Sequence, residues 1–352
     1  MNDALRELRV LLATRQGLGT LVVAVSAPVA LGVVPNILQS WTSQVWLLYV
    51  AFTVAVAGVL VGWALTRNRG LGIVLTLYHT APSDTRARAM LTAARSRHST
   101  TLRLDRDELW PKDAALTMTN DQIHLLGRLL DARCAEHVDS GGSLTDIVLY
   151  PLISLQDGYR LGQTLRSPGS GLTIAHRSVA TGEVFPGIRL DGALRNHAAA
   201  APAFLQPPAD PLLTANPAVG PGDPGYGHLA LIIRLTGRSS MVDIARRVAE
   251  TGSPDHPDGR PTGYHYASPA CGATLAIEAA VTGVPEDSNS FATTVTYLRT
   301  QWQTAHTAWS TQTGSPTTGH LFFNGPLPIA IALGWALDDN TPALVPHDPS
   351  TR

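Results

Sequence analysis

The feature that most constrains this chain is a long N-terminal stretch with no charged side chain and no histidine. It lies between Arg15 and Arg67. Two apolar segments within it, residues 18–38 and 45–65, each have about the 20 residues needed to cross ~30 Å of hydrocarbon. Backbone polar groups must find partners inside lipid, so both segments are expected to be helices. The short connection 39–44 predicts a transmembrane hairpin.

The flanking arginines predict the orientation of this hairpin. Arg6, Arg9 and Arg15 precede the first segment, Arg67 and Arg69 follow the second, and the connection has none. Positive charges accumulate on the cytoplasmic side of membrane helices. We therefore expect a multi-pass protein of the inner (cell) membrane with its N-terminus and C-terminal domain in the cytoplasm.

Two alternatives to the hairpin remain. The first segment could be a cleaved signal peptide, in which case the second would stop transfer and leave the C-terminal domain in the cytosol. The whole stretch could instead be the core of a soluble domain, where such long charge-free runs are rare.

Gly58 and Gly62 in the second segment have the spacing of small residues that lets membrane helices approach closely, which predicts contacts between copies.

Beyond the hairpin, short apolar strands alternate with amphipathic helices, and the pattern restarts once. Strands alternating with helices predict largely parallel sheets, so we expect two α/β lobes. The predicted organisation is a cytosolic segment (1–17), the transmembrane hairpin (18–66), a first lobe (70–190), a linker or irregular connection (191–227) and a second lobe (228–349). The predicted strands are 71–78, 145–150, 172–176, 184–190, 228–235, 320–323 and 343–347, and the main helices are 83–97, 120–138, 291–312 and 327–337.

Composition and motifs exclude several functions. The net charge is −1 and the pI is about 6.9, so no basic field suggests duplex nucleic acid as a partner. Lys112 is the only lysine, and no phosphate-binding P-loop surrounds it. The nucleophile elbow, the dinucleotide-binding glycine motif and the His-Glu-x-x-His zinc motif are also missing. We therefore expect no catalytic residue, no metal and no cofactor, and no enzymatic activity.

Candidate ligand contacts remain where strands run into helices. In open α/β sheets, ligands bind beyond the carboxyl ends of the strands, and a helix N-terminus attracts anions. An aromatic side chain there also gives a base a surface for stacking. The predicted ligand-binding residues are Tyr78, His79, Thr236, Gly237, Arg238, Ser239, Ser240, Asn324 and Gly325. Ordinary turns with capping residues are the alternative interpretation.

Two segments resemble a known family. Residues 320–335 (HLFFNGPLPIAIALGW) are similar to the C-terminal signature of SAVED domains: an apolar strand, a Gly-Pro break and a helix of small residues. Residues 228–237 (HLALIIRLTG), followed by two serines, are similar to the opening strand of the second SAVED lobe. SAVED domains are two fused CARF-like Rossmannoid lobes, so the resemblance implies that architecture here.

The resemblance also implies a function. SAVED domains sense cyclic oligonucleotides in bacterial CBASS anti-phage systems, so the implied ligand is a cyclic oligonucleotide, in particular a cyclic trinucleotide. The implied effector is the hairpin, which would disrupt the inner membrane in abortive infection after ligand-driven self-association. The lipid bilayer is then a second partner. Alternatives are a membrane-tethered CARF-like ring nuclease that degrades such ligands, and a structural membrane anchor that recruits a protein.

Overall fold

A computed structural model describes most of the chain beyond its N-terminal segment. The described residues are 22–24, 26–27, 45–66, 70–77, 84–110, 118–165, 171–206, 211–236, 240–280, 282–337 and 340–347. They belong to two compact units, Met1–Arg69 and Gly70–Arg352.

Helix α1 (Val45–Thr66) has 22 residues and carries no charge. The side chains that the structure describes on it are those of Val50 and residues 52–62. Counted over the residues that the structure describes, no helix has both the length and the apolar character needed to cross a membrane. Most of the first predicted span, 18–38, lies outside the described residues, although 22–24 and 26–27 are helical.

One face of α1 packs within its own unit and the opposite face is exposed. Ala55 is 2% exposed and Gly62 is buried. A Cβ atom on Gly58 would lie 3.0 Å from the Cβ atom of Ser26, so this glycine closes on the preceding helical segment of the same chain. A contact of Gly58 with a neighbouring copy stays a prediction. The exposed large apolar residues of α1 are Val50, Phe52, Val54, Val56, Leu60 and Val61.

The unit from Gly70 onwards contains two five-stranded sheets. The first lobe has β1 (Leu71–Thr76), α2 (Thr85–Arg97), β2 (Thr100–Asp105), α3 (Arg106–Leu109), α4 (Asn120–Asp139), β3 (Ile147–Leu152), α5 (Leu155–Thr164), β4 (Thr173–Arg177) and β5 (Val184–Arg189). The connection and second lobe have α6 (Gly192–Asn196), β6 (Thr214–Ala215), β7 (His228–Arg234), α7 (Ser240–Thr251), β8 (Ala273–Glu278), α8 (Ser288–Thr313), β9 (Thr318–Asn324), α9 (Leu327–Ala336) and β10 (Ala343–Leu344).

The two sheets repeat one topology. The first has the order β2-β1-β3-β4-β5, and the second, read from its opposite edge, has the order β6-β8-β7-β9-β10. The first four strands of one sheet and the last four of the other are parallel neighbours. In each lobe the first parallel strand in the chain, β1 or β7, therefore lies between the second and the third. The antiparallel strand differs, since β5 pairs with β4 whereas β6 pairs with β8.

A common core lies between the sheets. Alternate residues of β1 and β7 point into it together with side chains of α4, α5, α8 and α9. The other face of the first sheet is covered by α2 and that of the second sheet by α7. The interior strand β1 is buried along its whole length, as parallel strands between helical layers are. The expectation of an α/β domain is confirmed, and its sheets are mixed, with an antiparallel strand at one edge of each.

The helix and strand boundaries differ from the predicted ones in informative places. The N-cap of α2 is Asp84, whose side chain accepts a hydrogen bond from the backbone N–H of Arg86, and not the predicted Ser83, which lies outside the described residues. The predicted connection 191–227 contains α6 and β6, and β6 joins the second sheet. Helix α5 and strands β2 and β8 have no counterpart among the predicted elements.

Candidate functional site

The two predicted turns of the second lobe meet at the carboxyl ends of β7 and β9. The backbone N–H of Leu235 donates to the carbonyl of Asn324 at 2.7 Å. The hydroxyl of Thr236 donates to the side-chain oxygen of Asn324 at 2.9 Å. These strands flank the point where the strand order reverses, which is where open α/β sheets bind ligands.

Gly325 is required by the closeness of these turns. A Cβ atom at this position would lie 3.0 Å from Cβ of Leu235 and 2.9 Å from Cζ of Phe323. Any larger residue would push the turn after β9 away from the turn after β7. The structure thus brings Thr236, Asn324 and Gly325 together, while Ser240 is exposed at the start of α7.

Arg234, the last residue of β7, stabilises the turn that follows this strand. The sequence analysis did not identify it. The last residue of β7 is 5% exposed, and its guanidinium contacts the carboxylate of Glu278 at 2.9 Å. It also donates to the carbonyls of Ala279 at 3.0 Å and Thr236 at 3.3 Å. A buried guanidinium must satisfy its donors, and this one uses them to fix the turn. The sequence signal that could have identified Arg234 was a charged residue at the end of an apolar run.

The first lobe has the equivalent switch point between β1 and β3. The backbone N–H of Leu77 donates to the carbonyl of Leu152 at 3.0 Å, which repeats the bond between Leu235 and Asn324. The predicted contacts Tyr78 and His79 follow Leu77 in sequence but lie outside the described residues, as do Gly237, Arg238 and Ser239. Their role stays a prediction.

A second group of polar residues that the sequence analysis did not identify surrounds the N-terminus of α5. The N-cap hydroxyl of Ser154 accepts from the backbone N–H of Asp157 at 3.0 Å and donates to its carboxylate at 2.8 Å. Arg160 contacts the same carboxylate at 3.2 Å and donates to the carbonyl of Met118 at 2.6 Å. Burial raises the pKa of Asp157, and the bond from Ser154 and the charge of Arg160 oppose that shift. The Ser-x-x-Asp spacing was the sequence signal for this cap.

Helices α5 and α9 bring the two switch points to the same end of the domain. A Cβ atom on Gly158 would face Leu327 and Ile331, and one on Gly162 would face Ile331 and Trp335. Contacts that advance together along both helices mean that α5 and α9 run in the same direction. Their N-termini therefore lie at one end of the domain.

These two N-termini differ in how they are capped. Ser154 caps α5, whereas Pro326 gives α9 no side-chain cap. Among the described residues, the N-cap of α9 thus supplies no side-chain acceptor to the first backbone N–H groups of this helix, beside Asn324 and Gly325. A phosphate is the kind of group that such an end attracts.

A carboxylate ties the lobes together near this end. Glu286, which precedes α8, accepts from the hydroxyl of Ser178 at 2.5 Å and from the backbone N–H of Val179 at 3.1 Å. His176 Nε2 lies 3.4 Å from it. Burial alone would raise the pKa of Glu286, but the bonds from Ser178, Val179 and His176 together lower it. This carboxylate therefore stays ionised and joins the β4–β5 turn of the first lobe to the second lobe.

Within the described ranges, no three His, Cys, Asp or Glu side chains lie close enough to hold a metal ion. The chemistry of the described part of the site is thus that of hydroxyl, amide and backbone donors beside a buried guanidinium.

Comparisons with known proteins found similarity to solved structures. No protein-family model matches the chain and no curated protein matches it. The chain is similar to solved structures of the Acinetobacter baumannii Cap4 SAVED/CARF-domain containing receptor. The structure with the cyclic trinucleotide 2'3'3'-cAAA gives 13% identity and a TM-score of 0.40, with 82% of this chain and 51% of that chain covered. The structure with 3'3'3'-cAAA gives 14% and 0.39 over the same shares.

A third structure, of the same receptor with no ligand named, gives 13% identity and a TM-score of 0.36, covering 82% of this chain and 49% of that one. The chain spans about half the length of each of these structures. Values this low transfer no function to this chain.

Proposed function

We propose that this chain is a membrane-anchored receptor whose α/β domain binds a cyclic oligonucleotide. One observation carries the proposal: the parallel pair α5 and α9 presents the switch points of two repeated lobes at one end. A cyclic oligonucleotide repeats its phosphates and bases around a ring, so a surface built from two repeated lobes suits it. The resemblance of residues 228–237 and 320–335 to SAVED domains supports the same ligand class.

The proposed role is binding and not catalysis. In this proposal the hydroxyl and amide groups of Thr236 and Asn324 and the uncapped start of α9 contact the ligand. Purified full-length chain in lipid vesicles, incubated with cyclic di- and trinucleotides, tests it. Recovery of intact bound ligand supports the receptor. Linear product would identify a ring nuclease, and absence of binding would leave a structural anchor.

The proposed output is disruption of the inner membrane. The exposed residues of α1, including Phe52, Val54 and Leu60, form an apolar surface that lipid would cover. Ligand-driven self-association would crowd these helices in one membrane and raise their effective concentration. The same vesicles, loaded with a dye, should release it after ligand is added, and release without ligand would contradict this output.

Arg238→Ala should weaken ligand binding by roughly ten- to a hundredfold, since a charge-assisted contact to phosphate contributes about 1.5–3 kcal/mol. Arg238 lies two residues before the start of α7 in sequence, where the turn predicts an anion contact. Titration calorimetry gives the affinity. Arg260→Ala is the matched control, because this arginine is exposed and pairs with Asp258 in another loop. Equal affinities of the two variants would remove Arg238 from the site.

The proposed topology places both ends of the chain in the cytoplasm. A reporter enzyme that is active only outside the cytoplasm, fused after Arg352, should therefore give no activity. The same reporter inserted in the connection 39–44 should be active, because that segment would cross to the other side. Activity at the C-terminal fusion would reverse the assignment.

A further inference from the structure

Helix α2 concentrates positive charge on the exposed side of the first lobe. Its 13 residues include four arginines and no acidic residue. The opposite side of the helix is buried through Met90 and Ala94, which face the sheet. All four arginines, Arg86, Arg88, Arg95 and Arg97, are exposed.

The arginines lie in two rows, the rims, on opposite flanks of α2, and the exposed face of the helix between the rims is called the furrow. At 3.6 residues per turn, Arg88 and Arg95 lie within about 20° of each other around the helix, and so do Arg86 and Arg97. The residues between the rims are small, and a groove of ≈ 470 Å³ runs there beside the β4–β5 turn. Its lining includes Arg88, Ser96 and Arg97 from the helix and Gly182 from the turn.

One arginine of the rims, Arg97, is fixed by a hydrogen bond to the neighbouring strand. The guanidinium of Arg97 donates to the carbonyl of Val184 at 2.6 Å, which ties α2 to β5. His98, directly after the helix, lies 2.9 Å from the hydroxyl of Tyr150. The C-terminal turn of α2 is therefore fixed on the sheet, and its exposed cations are presented from a rigid surface.

This turn lies beside the point where the chain enters the domain. The carbonyl of Gly70 accepts hydrogen bonds from the hydroxyl of Ser99 at 3.0 Å and the backbone N–H of Thr100 at 3.3 Å. Only residues 67–69 separate Gly70 from the end of α1. A connection of three residues reaches at most about 14 Å.

We infer that the arginine rims of α2 and the groove between them bind the phosphate groups of anionic lipids. The inference rests on the membrane anchoring proposed above, which puts the leaflet surface within reach of Ser99 and Arg97. Arginine pairs with phosphate through two parallel hydrogen bonds, and small residues between the rims leave room for a headgroup. Nucleic acid is the other polyanion that such a face could attract.

The test uses the full-length chain in nanodiscs with a reporter on the furrow. Ser96→Cys carries an environment-sensitive fluorophore in a Cys134→Ser background, since the remaining Cys271 is buried. Discs of phosphatidylcholine alone or with about 30% phosphatidylglycerol carry a headgroup quencher. Quenching should be roughly threefold stronger on the anionic discs and should fall at 0.5 M salt, where screening is strong.

Two controls make this result specific. The same label at Leu125, exposed on α4, should respond equally to both disc types. Arg88→Gln with Arg95→Gln should remove the anionic enhancement at position 96. Arg128→Gln with Arg133→Gln, which removes the same charge from exposed positions on α4, should leave it unchanged.

Equal quenching on both disc types, or equal loss in both double variants, overturns the inference. Displacement of the quenching by duplex DNA on neutral discs would identify nucleic acid and also overturn it. Co-elution of the chain with phosphatidylcholine discs measures membrane anchoring separately. The anchoring proposal can therefore be supported even if the lipid-binding role of α2 is contradicted. With anionic discs in excess, quenching decides the role of α2 even if the hairpin does not insert.

Discussion

Gly162→Ala should lower the melting temperature of the chain by about 5–10 °C, corresponding to a loss of about 3 kcal/mol. A Cβ atom at position 162 would lie 3.0 Å from the carbonyl carbon of Ile331 and from the backbone nitrogen of Trp335, and closer still to the Ile331 oxygen. These are backbone atoms of α9, which cannot rotate away as a side chain could. The substitution also gains about 1 kcal/mol of helix propensity, which is too little to reverse the sign.

Tryptophan fluorescence during thermal unfolding measures this effect, since Trp335 is buried at the contact. Gly220→Ala is the matched control. Its φ lies outside the left-handed region, and the nearest atom to an added Cβ is a carboxylate oxygen of Asp223 at 3.8 Å. Gly334→Ala should behave like Gly162→Ala, because its Cβ would lie 3.0 Å from the carbonyl carbon of Tyr159. A melting temperature at position 162 equal to that of the control would mean that α5 and α9 are not closely packed.

Acidification from pH 7 to pH 4 should lower the free energy of unfolding by about 3 kcal/mol through His320 alone. This residue is 6% exposed, and its Nε2 lies 2.8 Å from Nδ1 of His228. Burial, followed by the charge of His228, lowers the pKa of His320 to about 4. The neighbouring Tyr266 and Cys271 stay neutral over this range, because burial raises the pKa of both groups.

The sign follows from the direction of the shift. The unfolded chain takes up the His320 proton near pH 6.5, whereas the folded chain resists it until about pH 4. The contribution to stability is therefore complete above pH 6.5 and is lost as the pH falls towards 4. Urea unfolding at each pH gives the free energies.

His320→Gln removes the titrating ring and keeps a partner for His228. Groups other than His320 affect the wild type and the variant alike, so the difference between pH 7 and pH 4 should shrink by about 3 kcal/mol in the variant. His124→Gln, at an exposed position on α4, should keep the wild-type difference. An unchanged difference in the His320 variant would contradict the assignment.

The sequence predicted the central strands because burial dictates their composition. Residues 71–78 and 228–235 are apolar runs, and β1 and β7 are interior strands with a parallel neighbour on each side. Strand β2 was missed because it is an edge strand and only Leu104 in it is buried. Edge positions tolerate polar residues, so the sequence TTLRLD carries little strand signal.

Helix α5 was missed because its glycines hide a buried helix. Gly158 and Gly162 lower helix propensity, so residues 155–164 resemble a loop when taken alone. The structure shows that both glycines allow α9 to approach. That cause lies in tertiary packing across residues far apart in the chain, and local propensity cannot reveal it.

The candidate site was predictable in part. Turns after apolar strands pointed to Thr236 and Asn324, and parallel pairing of β7 with β9 brings those turns together. Which strands would be neighbours depends on the whole topology. The roles of Arg234 and Asp157 depend on burial, which a single sequence shows poorly for charged residues.

The repeated topology has a consequence for how the chain could distinguish chemically identical units. In a homodimer, every substitution appears in both halves of a composite surface. Here the lobes are one chain, and their matching registers end differently: Thr76 opposes Leu152 in the first lobe, whereas Arg234 opposes Asn324 in the second. Under the proposed function, identical nucleotides would meet two halves that differ at matching positions, with a threonine in one and an arginine paired with Glu278 in the other. The fused duplication can therefore favour one rotational register of a ring whose units are chemically identical.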